Sequence, residues 1–339
     1  LVFWSPVNRN SVVNAVFLFV MVIMYYLSIT AYCTPYNALL PELGHNQQER
    51  LNISTVISFT FIAGTAVAYL APVIWGTLIP VFGRVNAIRV TFAVMAALAF
   101  VCMQVPVWAI NEKEYVDTMP SQDTAFSSLA STFRNKEFRK FVASDILYWI
   151  AITMFQTGLP FFVTSLLKLP ETMTTIYFIG MTALSLVFYI PINKLTPKFG
   201  KKKLILVAFL MFAFAYLYTG FLGRISAISA NVQGYMLMAV ASLPMAVFGI
   251  LPQAVVADIA QSDAKLTRSN REGMFYAART FAFKFGQSLS MLLFTAVTTI
   301  GSATGAGYRV AAFVAAVFCM LGGIVFLFYN ERKINQSIN

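Results

Sequence analysis

Nine stretches of this chain run for 20 or more mostly apolar residues each: 12–39, 53–82, 87–110, 141–167, 172–193, 203–222, 232–257, 275–300 and 308–329. A helix needs about 20 such residues to cross the roughly 30 Å hydrocarbon core of a bilayer. In hydrocarbon the backbone must satisfy its own hydrogen bonds, so runs of this length that do not alternate polar with apolar read as helices. The remaining composition agrees. The chain is 59% hydrophobic and 11% charged, with a mean hydropathy of +0.73, whereas a soluble domain carries about 25% charged residues. The fold class expected is an all-α multi-pass membrane protein.

The breaks between the runs carry the polar residues. The longest, 111–140, has no apolar period and reads as a loop with a short amphipathic end; 194–203 ("NKLTPKFGKKK" with Asn193) is a tight basic turn, and 257–273 is a charged one. Alternate breaks differ in charge. One set, with the C-terminal residues, holds 17 Lys and Arg; the opposite set holds 6, and Lys284 lies within a run. Cytoplasmic loops are the basic ones, so the C-terminus is expected in the cytoplasm and the start of the chain outside. The opening "LVFWSPVNRN" reads as the outer end of a helix whose body is absent, and the expectation is a truncated chain. Cys33, Cys102 and Cys319 lie in apolar runs without ligand spacing, and His45 is a lone histidine, so no metal site is expected. No nucleophile elbow or P-loop glycine pattern occurs. Neither enzyme chemistry nor ATP-driven transport is expected.

Polar groups in hydrocarbon are costly and by default mark a path or a helix contact. In the first run, Tyr26, Thr30, Cys33 and Asn37 follow at spacings of four, three and four, which places them on one stripe. A cavity lining and a polar helix interface both produce such a stripe. Arg279, Thr280 and Lys284 fall in "MFYAARTFAFKFGQSLS". Arg279 is shallow enough to snorkel to the inner interface. Lys284 lies about two and a half turns in, where a lysine costs about 3 kcal/mol at the bilayer centre, and is expected to line a substrate path. Asp145 stands one turn into its run, either as a paired interfacial charge or as a site residue. Trp149 either stacks on a sugar ring or packs, and Gln156 follows on the same run. Pro72, Pro160, Pro191, Pro244 and Pro252 interrupt runs, as both transporter sites and ordinary membrane helices do.

Three segments carry a resemblance. "PYNALLPELGHNQQERLNISTVISFTF" (35–61) resembles the fourth-to-fifth helix connection of the glycoside–pentoside–hexuronide:cation symporters, the melibiose-carrier family of the major facilitator superfamily. "ADIAQSD" through "REGMFYAARTFAFKFGQ" (257–287) resembles that family's connection from the tenth helix into the eleventh. "NKLTPKFGKKK" resembles its basic signature between helices eight and nine. The resemblance implies two six-helix halves, with nine of twelve helices present and the first three missing. On that reading 1–110 is the remainder of the N-terminal half, 111–140 the central cytoplasmic loop, 141–330 the C-terminal half and 331–339 a cytoplasmic tail. The polar stripe of the first run then lines the inner half of a central cavity.

By position, Lys284 matches the family's eleventh-helix lysine beside the sugar and cation site. Thr280 and Arg279 match polar positions one turn earlier, with arginine here in place of glutamine. Asn37 replaces a sugar-contacting aromatic residue, Cys33 a sugar- and cation-associated aspartate, and Ser58 a sugar-contacting arginine; these departures leave galactoside specificity open. Asp258 and Glu272 match acids of the cytoplasmic gate, and Gln261 replaces another. With Tyr26 and Trp149, these are the expected site residues. The resemblance implies symport of a sugar or glycoside with Na+ or H+ by alternating access, in a monomer of the inner (plasma) membrane, with no cofactor beyond the coupling ion and no nucleic-acid partner. A lysolipid or other amphiphile carrier is the alternative within transport, since losing the aspartate and arginine at Cys33 and Ser58 suits an amphiphile. A non-transporting fragment or scaffold is the alternative outside it.

Overall fold

The computed structural model of the chain describes residues 11–43, 60, 63–109, 132–267, 272–300 and 305–338. Nine helices are delimited among the described residues, with no strand among them. The chain divides into two compact units, Leu1–Pro120 and Ser121–Asn339.

In the first unit, α1 (Val12–Leu43) is apolar on all sides, as membrane-embedded helices are. The phenol of Tyr32 donates to the Met103 carbonyl at 2.8 Å and ties α1 to α2 (Ala71–Ala109). With the helical residues just before it, α2 forms an apolar run of 47 residues, Ala63–Ala109. At 1.5 Å per residue a straight helix of that length measures about 70 Å, more than twice the hydrocarbon thickness. It is not straight. Gly83 has φ 73°, a conformation that costs glycine nothing because it lacks a Cβ. The rings of Trp75 and Phe92 lie 6.0 Å apart across that point, where a straight helix would separate them by about 25 Å. The run is therefore two antiparallel arms, matching the second and third apolar stretches; residues 53–59 lie outside the described residues.

The second unit opens with α3 (Lys136–Phe161), capped by Asn135, whose Oδ1 accepts from the backbone N–H of Glu137 and Phe138 at 3.1 Å. Pro160 lacks an N–H to donate, and the helix passes into a π-helical turn, Phe162–Leu166. Next come α4 (Thr172–Phe199) and α5 (Lys201–Phe221), joined through Gly200 at φ 83°. They are followed by α6 (Ala230–Thr267), α7 (Glu272–Thr298), α8 (Ala306–Leu327) and the short α9 (Glu331–Ile338). Small residues let α8 approach α3 and α5 closely: Ala311, Ala312, Ala315, Ala316, Cys319 and Gly322 are all buried. The Ser144 hydroxyl donates to the Gly322 carbonyl at 2.8 Å. At the core, Tyr148 of α3 stacks on Phe248 of α6, with ring centroids 4.0 Å apart, beside Phe209 and Phe212 of α5.

Seven of the described stretches are long and apolar enough to cross a membrane, against nine expected. Two of the nine have merged in the Ala63–Ala109 run, and α7 falls short because it carries Arg279, Lys284 and Gln287. Its packing shows that it crosses nonetheless. Ring contacts run from Phe138–Phe275 (4.9 Å) at the start of α3 to Phe161–Phe294 (6.1 Å) at its end. The two helices are parallel neighbours throughout, so α7 traverses whatever α3 traverses. Phe161 also stacks on Tyr308 at the head of α8 (4.9 Å), and Glu137 at the foot of α3 accepts from Asn330 N at 2.8 Å beyond the foot of α8. The starts of α3, α5, α7 and α9 thus share one end of the unit. That end carries the lysines of 194–203 with Lys136, Arg139, Lys140, Arg332 and Lys333; the other carries Lys168, Arg224 and Arg309.

Candidate functional site

The composition of α7 sorts its residues onto two sides. Phe275, Ala278, Arg279, Ala282, Gly286, Ser290 and Phe294 are buried, at helical spacing, against the rest of the unit. Gly286 lets α3 come so close that a Cβ there would meet the Ile146 carbonyl at 3.0 Å and the Trp149 Cβ at 3.2 Å. The Ser290 hydroxyl donates to the Ile150 carbonyl at 2.8 Å. Within this contact Arg279 Nε and Nη2 donate to the two carboxylate oxygens of Asp145 at 2.9 and 3.3 Å. The side chains of Arg279 and Asp145 are only 8% and 3% exposed. The guanidinium also lies 5.7 Å from the Phe141 ring centroid. A buried charge costs several kcal/mol unless it is neutralised and hydrogen-bonded, and here each ion supplies what the other needs. The snorkelling route expected for Arg279 is not taken: its side chain turns sideways into the bundle. Asp145 is a paired charge, one of the two readings the sequence left open, and its depth is internal.

The other side of α7 is exposed within the unit. Thr280, Lys284 and Ser288 form one polar line at four-residue spacing, flanked by the exposed rings of Phe281 and Phe285. The Lys284 ammonium lies 5.1 Å from its neighbour's ring, Phe283, and among the described residues no carboxylate pairs with it. Trp149 packs between α3 and α7, 4.9 Å from Phe283 and edge-on to Tyr148 at 5.5 Å, on the same contact as Arg279. The structure thus brings Arg279, Trp149 and Asp145 together and leaves Lys284 and Thr280 on the opposite face of the helix.

In the first unit, Tyr26 and Cys33 are exposed on α1, seven residues apart and so on one face. Asn37 belongs to α1 by its backbone, and Ser58 lies outside the described residues. At the basic end of the second unit, Asp258 of α6 accepts an ion pair from Lys201 of α5. Glu272 is the first residue of α7. Other acids at this end are also engaged: Asp263 Oδ1 accepts from Asn135 Nδ2 at 3.1 Å, and Glu331 accepts from the backbone N–H of Lys201 and Lys202 at 2.7 and 3.0 Å, capping α5. Tyr329 is buried among them, and burial first, then the nearby carboxylates of Asp258, Glu331 and Glu137, pushes its phenol up from the ordinary value.

Sequence reasoning did not single out Ser144, Gly286, Ser290 or Gly322, the small groups that bring α3, α7 and α8 together. For the Arg279–Asp145 pair the sequence holds opposite charges, each about one turn into its run, and no sign that the two faces meet.

A family model described as MFS/sugar transport protein matches residues 1–330 of the chain. No curated protein matches it.

Proposed function

The chain belongs to this MFS/sugar transport family, and from that premise we propose that it is a cation-coupled symporter of a sugar or glycoside, taking Na+ or H+ with the solute by alternating access. Members of such a family are secondary transporters of the major facilitator type. The observation that carries the finer reading is the contrast on α7. Arg279 is neutralised inside the bundle, while Lys284, five residues later, faces outward from the unit with no carboxylate partner among the described residues. An unneutralised cation deep in an apolar helix is a functional group by default. Lys284 is a fixed positive charge beside the solute, with Thr280 one turn away as a hydrogen-bonding group. Coupling arises because cation and solute each favour the same closed state, so that each raises the affinity for the other. The basic end of the second unit faces the cytoplasm by the charge rule, which puts the C-terminus inside. Asp258 and Glu272 then belong to the cytoplasmic gate, in a monomer of the inner membrane.

The test is uptake of labelled sugars into vesicles containing the full protein, driven by an imposed Na+ or H+ gradient. Lys284→Ala is expected to abolish gradient-driven uptake while leaving insertion intact; normal uptake would remove Lys284 from the site. The rings of Phe281 and Phe285 beside Lys284 favour a second reading, an amphiphile with an anionic head. Uptake of a lysolipid that persists under excess sugar would establish that reading in place of the first.

A further inference from the structure

A cavity of about 420 Å³ opens at the basic end of the second unit, where α4 ends, α5 begins and α8 gives way to α9. Lys202, Lys203 and Arg332 line it together with the apolar side chains of Phe199 and Leu206. Glu331 also borders it, but its two oxygens already accept the N–H groups of Lys201 and Lys202. Lys202 Nζ donates to the Leu327 carbonyl at 2.7 Å, which holds it at the cavity wall with donors to spare. Among the described residues neither Lys203 nor Arg332 has a carboxylate partner. The cavity therefore carries an excess of positive charge.

What lies next to the cavity identifies the occupant. Lys203 stands at the foot of an exposed stripe of α5 that continues through Val207, Leu210, Phe214, Leu217 and Phe221, at alternating spacings of four and three. On α8 the exposed side chains of Val317, Leu321 and Ile324, with Phe328 just past its end, run down to the turn that leads to Arg332. An anion held by Lys203 and Arg332 thus sits at the foot of the exposed apolar face of α5 and beside the turn in which that of α8 ends. A small soluble anion uses none of that surface. A molecule with a phosphate head and acyl chains uses all of it, and basic pockets between membrane helices are suited to anionic headgroups.

We propose that this cavity is a binding site for an anionic phospholipid, with Lys202, Lys203 and Arg332 on the headgroup, Phe199 and Leu206 at its glycerol level, and the acyl chains along the exposed stripes of α5 and α8. Its placement in the inner leaflet rests on the orientation proposed above; the headgroup assignment does not.

The experiment is thermal unfolding of the purified full chain in a neutral detergent, titrated with short-chain phosphatidylglycerol. A saturable rise in melting temperature is expected, absent with phosphatidylcholine of the same chains and absent with inorganic phosphate. At about 1 kcal/mol for each cation near the headgroup, the double variant Lys203→Gln, Arg332→Gln is expected to weaken the apparent affinity about thirtyfold. Equal stabilisation by phosphatidylcholine, or unchanged affinity in the double variant, would overturn the site. Stabilisation by phosphate alone would assign the cavity to a free anion and overturn the lipid. If the double variant does not fold, headgroup selectivity of the unaltered chain, and its loss at about 1 M salt where charges are screened within about 3 Å, decide the matter. Transport does not enter these readouts, so a failure of the symport proposal leaves them intact.

Discussion

On the α3 side of α7, Arg279 lies in a contact built from Gly286, Ser290 and the stretch of α3 from Asp145 to Ile150, and Asp145 satisfies it there. On the other side, about 140° around the helix, Lys284 projects from the unit between Thr280 and Ser288 with no acid paired to it among the described residues. Both are cations in one apolar helix, and their difference in depth does not say which belongs to the fold. What does is the partner: a charge with a bidentate counter-ion in a packed contact belongs to the fold, whereas a charge held away from any acid retains capacity for something that arrives later. The helix divides into a packed side and an exposed side.

Breaking the pair should give the largest effect. Asp145→Ala leaves a buried guanidinium alone and is expected to cost about 3–5 kcal/mol, read as a large fall in folded protein and melting temperature. Replacing both charges, Asp145→Leu with Arg279→Met, should recover most of that loss; failure to recover would mean that the two residues are not energetically coupled. Next in size, Gly286→Leu forces side-chain atoms against the Ile146 backbone and Trp149 and should destabilise by about 1–3 kcal/mol. Ser290→Ala, which removes one interhelical hydrogen bond, should cost about 0.6 kcal/mol in an unfolding titration. Smallest in stability is Lys284→Ala, expected to stay within about 0.5 kcal/mol as changes on exposed faces do, although under the proposed function it is expected to abolish uptake. A Lys284 variant that unfolds as readily as Asp145→Ala would erase the division between the two sides.

The features legible in the sequence were those that depend on length and depth. The apolar runs of 141–167, 172–193, 203–222 and 308–329 became α3 with its π turn, α4, α5 and α8, because crossing a bilayer needs a fixed length of apolar helix whatever the neighbours do. Lys284 was noticeable for the same reason. The break between 82 and 87 was legible, and Gly83 bends the run there; what was not legible is that a single glycine φ makes the turn, with no loop. Nor was the union of Asp145 with Arg279, 134 residues apart: the two runs give the depth of each charge but not which faces of two helices meet. Those faces are set by glycine, alanine and serine, which leave almost no trace in hydropathy. The stripe of Tyr26, Thr30, Cys33 and Asn37 shows the same limit. Its spacing was readable, while the choice between cavity and interface depends on what lies across from α1.

The cap on α5 also orders events in time. Glu331 holds the backbone N–H of Lys201 across 130 residues of chain, and Asn330 is bound to Glu137 across 193. At a synthesis rate of about 5–20 residues per second, the start of α5 leaves the ribosome roughly 7–26 seconds before the carboxylate that caps it, and the foot of α3 waits longer still. Every span of the second unit is thus made before these two contacts can fasten its basic end.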